Sequence, residues 1–340
     1  ITELVIMHDI SKIFPAIKKS EKQDIFSPSD VSLSETSKAI KYTEEELPVD
    51  FKDIKHNSGE VKSQFPTDMQ IRAIDSTAFN LGTVEDGVVG VVRTSVIIRK
   101  PDNLKHHCEK YGPHIFKITN QDKNTIYQDK FQQVFGTKPP LNSAPAIYKM
   151  VDRIRNLAER YIILEEIKNS RDTLILIDGS LISHPVDTPA SYLSQIMDES
   201  KKNNNIIAAI SKETSLVLSQ NGKGILSLCD FDPKPTYHGP LNQFIRGDSS
   251  RYCGDVYVVK LTPDGEAFRI DIPPNSVLPH EKILGLLAGI AGDYGYPDEL
   301  KLAHMTSIHS SVEIIELQAA AIQNFDLKIE ESIRKKLFPL

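Results

Sequence analysis

Short apolar runs bounded by polar turn residues recur between residues 69 and 271, and they predict buried β-strands. The clearest run spans residues 174–177 (Leu-Ile-Leu-Ile) and leads into the turn residues Asp178, Gly179 and Ser180. A continuous run of this length is typical of a strand that is buried on both faces of a sheet. Comparable runs predict strands at residues 69–77, 88–93, 94–99, 206–212, 256–260 and 267–271. The runs at 88–93 and 94–99 are either one long strand or a tight pair.

A helical periodicity of apolar residues appears in the second half of the chain. The clearest helix is predicted at residues 148–168, where one apolar stripe recurs at spacings of four and three: Met150, Ile154, Leu157, Tyr161 and Leu164. The next helix is predicted to begin at Thr188 and Pro189, with the threonine as N-cap and the proline at the first helical position. Three further helices are predicted near the C terminus, at 282–291, 298–308 and 311–324.

The order of these elements predicts a mixed α/β fold. The strands between residues 69 and 99 follow one another without room for crossover helices, so they must be largely antiparallel. A helix and then a parallel strand follow, which is typical of a mixed sheet with helices on its faces. The polar residues 1–68 predict an N-terminal helical arm, 69–325 a compact domain with an insertion at about 102–147, and 326–340 a C-terminal tail. The arm and the tail are the candidate interaction surfaces.

The composition is that of a soluble globular protein, with 40% hydrophobic and 25% charged residues among 340. The formal net charge of −6 means that a nucleic-acid partner would need a local basic channel. No apolar run approaches the roughly 18 residues of a membrane-spanning helix, and residues 1–15 do not resemble a signal peptide. We therefore expect a cytoplasmic protein without a membrane partner.

The three cysteines, Cys108, Cys229 and Cys253, are widely spaced and form no CxxC pair. This spacing disfavours both a disulfide framework and a zinc site. His106, His107 and Cys108 also fit no standard zinc pattern. Nucleotide-binding glycine motifs and the GxSxG hydrolase motif are missing from the sequence, so Ser180 is interpreted as a turn residue.

Acidic residues at the ends of predicted strands indicate a metal site. Asp75 and Asp178 each follow a predicted strand, and Glu159 lies on the predicted helix between them. Ligands bind at this edge of open α/β sheets, and adjacent carboxylates repel one another unless a cation neutralises them. Mg²⁺ and Mn²⁺ favour such oxygen ligands, and two ions about 4 Å apart assist phosphodiester cleavage. The three residues therefore predict metal-dependent hydrolysis of phosphodiesters.

Taken together, these segments resemble the NurA family of nucleases. The matching segments occur in family order across residues 69–315: Ala-Ile-Asp-Ser at 73–76, Leu-Ile-Asp-Gly-Ser-Leu at 176–181, Ala-Ile-Ser-Lys at 209–212, Phe-Arg-Ile-Asp at 268–271, Gly-Tyr-Pro at 295–297 and Leu-Ala-His at 302–304. The resemblance implies an RNase H-like mixed sheet flanked by helices. It also implies a catalytic set made of Asp75, Glu159, Asp178, Tyr296 and His304.

In this set the resemblance implies that Asp75, Glu159, Asp178 and His304 bind the metal. Glu165 and Glu166 remain alternatives to Glu159. The implied cofactor is Mn²⁺, with Mg²⁺ as the alternative, in a two-metal site. Four basic residues are candidate phosphate contacts: Lys212, Arg246, Arg251 and Arg269.

The resemblance further implies a 5′→3′ exonuclease on single- and double-stranded DNA that also cuts single strands internally. Members of the family act as homodimers with a hexameric HerA-type ATPase in DNA end resection for double-strand break repair. Two other functions fit the same residues. One is a non-catalytic RNase H-like scaffold for a motor ATPase, and the other is a metal-dependent phosphoesterase that acts on small substrates.

Overall fold

A long antiparallel meander forms one half of the central sheet. The computed structural model describes residues 47–50, 57–101, 105–230, 232–325 and 327. Within them, β3 (Gln70–Val84), β4 (Gly87–Arg99) and β5 (His106–Thr119) pair in sequence order. Residues 88–99 are therefore one continuous strand rather than a tight pair.

Short parallel strands form the centre of the sheet. β6 (Thr173–Asp178) and β7 (Ile206–Ser211) run parallel to β3. Beyond β7 lie four antiparallel strands: β11 (Ala267–Ile272), β10 (Asp255–Lys260), β9 (Thr236–His238) and β2 (Ser58–Glu60). The strand order is β2-β9-β10-β11-β7-β6-β3-β4-β5. A second, two-stranded sheet pairs β1 (Leu47–Val49) with β8 (Leu216–Leu218).

Helices cover both faces of this sheet. On one face lie α1 (Lys123–Phe135), α2 (Met150–Asn169) and α3 (Ala190–Lys202). On the other lie α4 (His280–Gly289), α5 (Asp298–Ser307) and α6 (Ser311–Phe325). The strands are buried on both sides because their side chains alternate between the two helical layers. The arrangement confirms the predicted RNase H-like mixed sheet flanked by helices.

The β3–β6 pair shows how the two cores form. Ile74 and Ile177 point towards α2, whereas Ala73 and Leu176 point towards α4 and α5. The predicted apolar stripe of α2 faces the first core, where Met150, Ile154 and Leu157 are buried. The predicted strands at 256–260 and 267–271, which pair as a hairpin, and the three C-terminal helices are also confirmed, with small shifts of their ends.

Three details differ from the sequence predictions. Residues 106–119, which the sequence assigned to an insertion, form the edge strand β5, whose polar start hides the strand signal. β3 continues nine residues beyond Asp75 because β4 still pairs with it there, although its parallel partner β6 ends at Asp178. Thr188 does not cap α3, which begins at Ala190; its hydroxyl accepts a hydrogen bond from Arg160 instead.

The predicted N-terminal arm and C-terminal tail lie mostly outside the described residues. Of the arm, residues 47–49 and 58–60 are strands. None of the helices in the described part of the chain has the length and apolar composition that crossing a membrane requires.

Candidate active site

Two aspartates lie side by side where the parallel strands diverge. Ile74 of β3 is registered with Ile177 of β6, so the next residues, Asp75 and Asp178, follow on neighbouring strands. Because side chains alternate along a strand, both carboxylates project towards the layer that contains α5. Gly179 then turns the chain away with a φ of +128°, a conformation that favours glycine.

His304 of α5 binds the first of these aspartates. Its Nδ1 lies 2.7 Å from Oδ2 of Asp75, while Oδ1 of Asp75 accepts the main-chain N–H of Ser76 at 2.8 Å. Asp75 is buried, whereas the imidazole of His304 is 49% exposed. The aspartate therefore joins the buried sheet to a histidine that solvent can reach.

A buried ion pair fixes the position of α5. Glu299, in its first turn, is buried and lies 3.3 Å from Nε of Arg99 on β4. Oε1 of the same carboxylate also lies 3.5 Å from Nε2 of His106 on β5. Three strands thus help to hold the helix that presents His304, since β3 contributes Asp75.

Glu159 approaches the aspartates from the opposite layer. It is buried on α2 and pairs with Arg160 at 2.7 Å and with Arg155 at 3.4 Å. Burial raises the pKa of Glu159, the two arginines oppose this rise, and the negative charges of Asp75 and Asp178 add to it. The glutamate therefore lies within the electrostatic field of both aspartates.

The two alternative glutamates have other surroundings. Glu166 forms an ion pair with Arg72 and accepts a hydrogen bond from Tyr111 at 3.2 Å. Glu165 is partly exposed and lies 3.6 Å from Lys168. Of Glu159 and Glu166, only Glu159 has a pKa that the charges of Asp75 and Asp178 raise.

Lys212 and Tyr296 border Asp178. Lys212 follows β7, and its Nζ donates a hydrogen bond of 2.7 Å to Oδ2 of Asp178. The same ammonium lies 4.9 Å above the centre of the Tyr296 ring. The Tyr296 hydroxyl is buried without a well-formed hydrogen bond to a described residue. Its pKa is raised by burial first and then by the charges of Asp178 and Asp75.

The donor atoms of this cluster suit a hard divalent cation. Asp75, Asp178 and Glu159 offer carboxylate oxygens, and His304 offers an imidazole nitrogen, which together are typical ligands of Mn²⁺. Burial is also the main cause that raises the pKa of Asp75, with Asp178 adding to it and the His304 hydrogen bond opposing it. A bound cation would stabilise the charged carboxylates.

The other predicted phosphate contacts lie in different surroundings. Arg269 is buried and pairs through two nitrogen atoms with Asp271, at 2.8 and 2.7 Å, so its guanidinium faces a carboxylate rather than solvent. Arg246 is 63% exposed and pairs with Asp50. Arg251 lies close to the chain after Asp178, with its Nε 3.4 Å from the Ser183 carbonyl oxygen.

Two arginines of the site do not follow from the sequence analysis. Arg155 lies one helical turn before Glu159 and Arg160 directly follows it. The spacing of four between Arg155 and Glu159 is a known signal for an ion pair on a helix. Arg155 also reaches the main-chain oxygen of Ser76 at 3.4 Å, so it links α2 to the strand beside Asp75.

Comparison with known proteins finds one matching family model and several similar solved structures. Residues 69–307 match the family model described as the NurA domain. The crystal structure of the NurA nuclease from Sulfolobus solfataricus is similar, with 16% identity and a TM-score of 0.52, over 82% of this chain and 91% of that chain. A structure of NurA bound to dAMP and manganese has 10% identity and a TM-score of 0.47, over 80% and 91%. No curated protein sequence matches the chain.

We predict that Mn²⁺ raises the melting temperature of the wild-type protein and that Asp75→Asn removes most of this response. An ion that binds only the folded state at about 100 times its dissociation constant contributes roughly 2.7 kcal/mol to folding. Thermal unfolding with EDTA or Mn²⁺ measures the effect, with Asp198→Asn, an exposed residue of α3, as the matched control. An equal gain in Asp75→Asn and wild type would contradict the site.

Thermal unfolding in EDTA at a series of pH values tests the raised pKa values of Asp75 and Glu159. Without metal, the folded state holds these protons more tightly than the unfolded state. Stability should therefore fall as the pH rises from their usual values of 3.8 and 4.5 towards the raised ones. Asp75→Asn and Glu159→Gln should each reduce this fall.

Proposed function

Because the chain belongs to the NurA family of metal-dependent nucleases, we propose that it hydrolyses the phosphodiester bonds of DNA at the cluster around Asp75 and Asp178. The observation that carries the proposal is the juxtaposition of these two aspartates on adjacent strands, with His304 bound to Asp75 at 2.7 Å. A sheet has no structural need for two neighbouring, partly buried carboxylates, since their repulsion opposes folding. Their presence is explained by a bound cation.

We assign the ion to Asp75, Asp178, His304 and Glu159. Bound Mn²⁺ would lower the pKa of a coordinated water and stabilise negative charge on the phosphate. We propose manganese over magnesium because an imidazole nitrogen takes part, and Mn²⁺ accepts nitrogen more readily than Mg²⁺ does. The carboxylates on both sides of the sheet edge offer enough oxygen atoms for two ions.

The remaining side chains have separate roles in this proposal. His304 is half exposed beside Asp75, so its imidazole holds the ion or passes a proton at the open side of the site. Tyr296 positions the phosphate or stacks on a base at the edge of the site. Lys212 neutralises Asp178 in the metal-free protein and binds a DNA phosphate once a cation takes over that carboxylate.

The finer activity follows the family resemblance. We propose a 5′→3′ exonuclease on single- and double-stranded DNA that also cuts single strands internally. We propose that it acts in the cytoplasm as a homodimer with a HerA-type ATPase during DNA end resection. The exposed apolar side chains of α6, Val312, Ile315 and Ile322, support a protein partner on that face.

We predict that Asp178→Ala reduces cleavage of end-labelled DNA in Mn²⁺ to the EDTA background, because it removes a ligand at the centre of the site. His304→Ala should reduce the rate by about 10²–10⁴-fold, the usual contribution of a positioned acid or base. The measurement is a cleavage time course with single- and double-stranded substrates, again with Asp198→Asn as the control.

The outcomes separate the three functions. Cleavage that survives in Asp178→Ala would contradict the assigned site. A lack of cleavage with every ion and with an added HerA-type ATPase would favour the scaffold. Hydrolysis of a chromogenic phosphate ester without DNA cleavage would favour the small-molecule phosphoesterase.

We predict that Lys212→Ala lowers kcat/KM for single-stranded DNA and weakens its salt dependence, because one phosphate contact is lost. The slope of log kcat/KM against log salt should become shallower by about 0.7. Lys212→Arg should restore most of the slope, and Lys201→Ala, an exposed lysine of α3, should not change it. An unchanged slope in Lys212→Ala would show that this lysine only neutralises Asp178.

A further inference from the structure

A second group of metal-binding side chains lies far from the nuclease site. Cys229, Asp232 and His238 each offer one ligand atom, and these three atoms lie within 4.8 Å of one another. Cys229 ends the 3₁₀ turn Ile225–Cys229, and His238 is the last residue of β9. Nε2 of His238 lies 3.1 Å from Oδ2 of Asp232. The main chain thus brings a sulfur, an oxygen and a nitrogen donor together from a short stretch of sequence.

One polar atom of this group has no hydrogen-bond partner among the described residues. This atom, Nδ1 of His238, is buried. An unsatisfied buried polar atom opposes folding, so its presence needs an explanation. Lys260 donates to the main-chain oxygen of Asp232 at 3.1 Å, not to its carboxylate. The carboxylate and Nε2 of the imidazole therefore share one hydrogen bond, which a cation bound by both atoms can replace.

We propose that Cys229, Asp232 and His238 bind one Zn²⁺ ion, with a water molecule as the fourth ligand. Zinc combines thiolate, imidazole and carboxylate ligands in tetrahedral sites, where neighbouring ligand atoms lie about 3.5 Å apart. The 3.1 Å separation of Oδ2 of Asp232 and Nε2 of His238 is close to this value, and the three ligand atoms all lie within 4.8 Å of one another. On binding, the Cys229 thiol loses its proton to solvent as the sulfur–zinc bond forms.

The thiolate also distinguishes this site from the nuclease site. Mn²⁺ prefers oxygen ligands, whereas a sulfur donor favours zinc. The two sites are separated within the sheet, because His238 on β9 is registered with Val258 on β10, which is registered with Arg269 on β11, the partner of Ser211 on β7. Asp178 lies one strand further, on β6, so four strand spacings, about 19 Å, separate it from β9. The zinc ion would connect the turn at Cys229 to β9 rather than take part in cleavage.

Cobalt binding tests this proposal directly, because a thiolate ligand gives Co²⁺ a charge-transfer absorption band that oxygen ligands do not. The metal-free full chain is titrated with Co²⁺ and then with Zn²⁺. We expect one equivalent of Co²⁺ with this band, displaced by one equivalent of Zn²⁺. Cys229→Ser should abolish the band, and Asp232→Asn and His238→Gln should each weaken Zn²⁺ binding at least tenfold.

Matched variants separate this site from the other cysteines and from the nuclease site. Cys253→Ser and Asp178→Ala should both keep the thiolate band. A band that is missing from the wild type, or that persists in Cys229→Ser, would overturn the proposal and leave a buried cysteine beside a structural aspartate–histidine pair. If circular dichroism shows that Cys229→Ser is unfolded, Asp232→Asn decides, and unchanged zinc affinity in that variant overturns the site.

Discussion

The register between β3 and β6 is the constraint on which the site depends. It places Asp75 and Asp178 next to each other and directs both towards the layer of α5. A slip by one residue would turn one of the two carboxylates to the opposite face and would bury it among the apolar residues under α2. The residues before the aspartates are apolar on both faces, so the cost of a slip comes from the carboxylate that would be buried without a partner.

Positively charged groups from several elements compensate the negative charge of the carboxylates at this site. Lys212 neutralises Asp178 from the end of β7, and His304 reaches Asp75 from α5. On the other face, Arg155 and Arg160 pair with Glu159 on the same helix. These positive groups do not fully offset the effect of burial on Asp75 and Glu159, whose pKa values stay raised. The proposed divalent cation would complete this compensation and would account for the retention of these acids in a stable fold.

Much of the fold follows from local patterns in the sequence. The apolar runs predict β6 and the β10–β11 hairpin, and the stripe along α2 predicts the helix that presents Glu159. β5 does not follow, because an edge strand that begins with His-His-Cys-Glu-Lys carries no continuous apolar run. The extension of β3 past Asp75 depends on pairing with β4, which no local pattern shows.

The site follows from the sequence only in part, because its details depend on partners that are distant along the chain. Glu159 differs from Glu165 and Glu166 in its surroundings. Arg72 forms an ion pair with Glu166, and Lys168 lies beside Glu165. Arg269 and Asp271 lie two residues apart on one strand, so they share a face and pair there. The alternation rule gives this pair from the sequence, but their burial depends on the strands on either side. Likewise, the contact of Lys212 with Asp178 requires the parallel pairing of β6 and β7.

The most direct test of the central claim is the anomalous scattering of manganese in a crystal of this protein soaked in Mn²⁺. We predict a peak between Asp75 and Asp178, within coordination distance of His304 or Glu159, and a Lys212 ammonium that has left the carboxylate of Asp178. A peak at another place, with Lys212 still bound to Asp178, would contradict the assignment of these residues as the metal site.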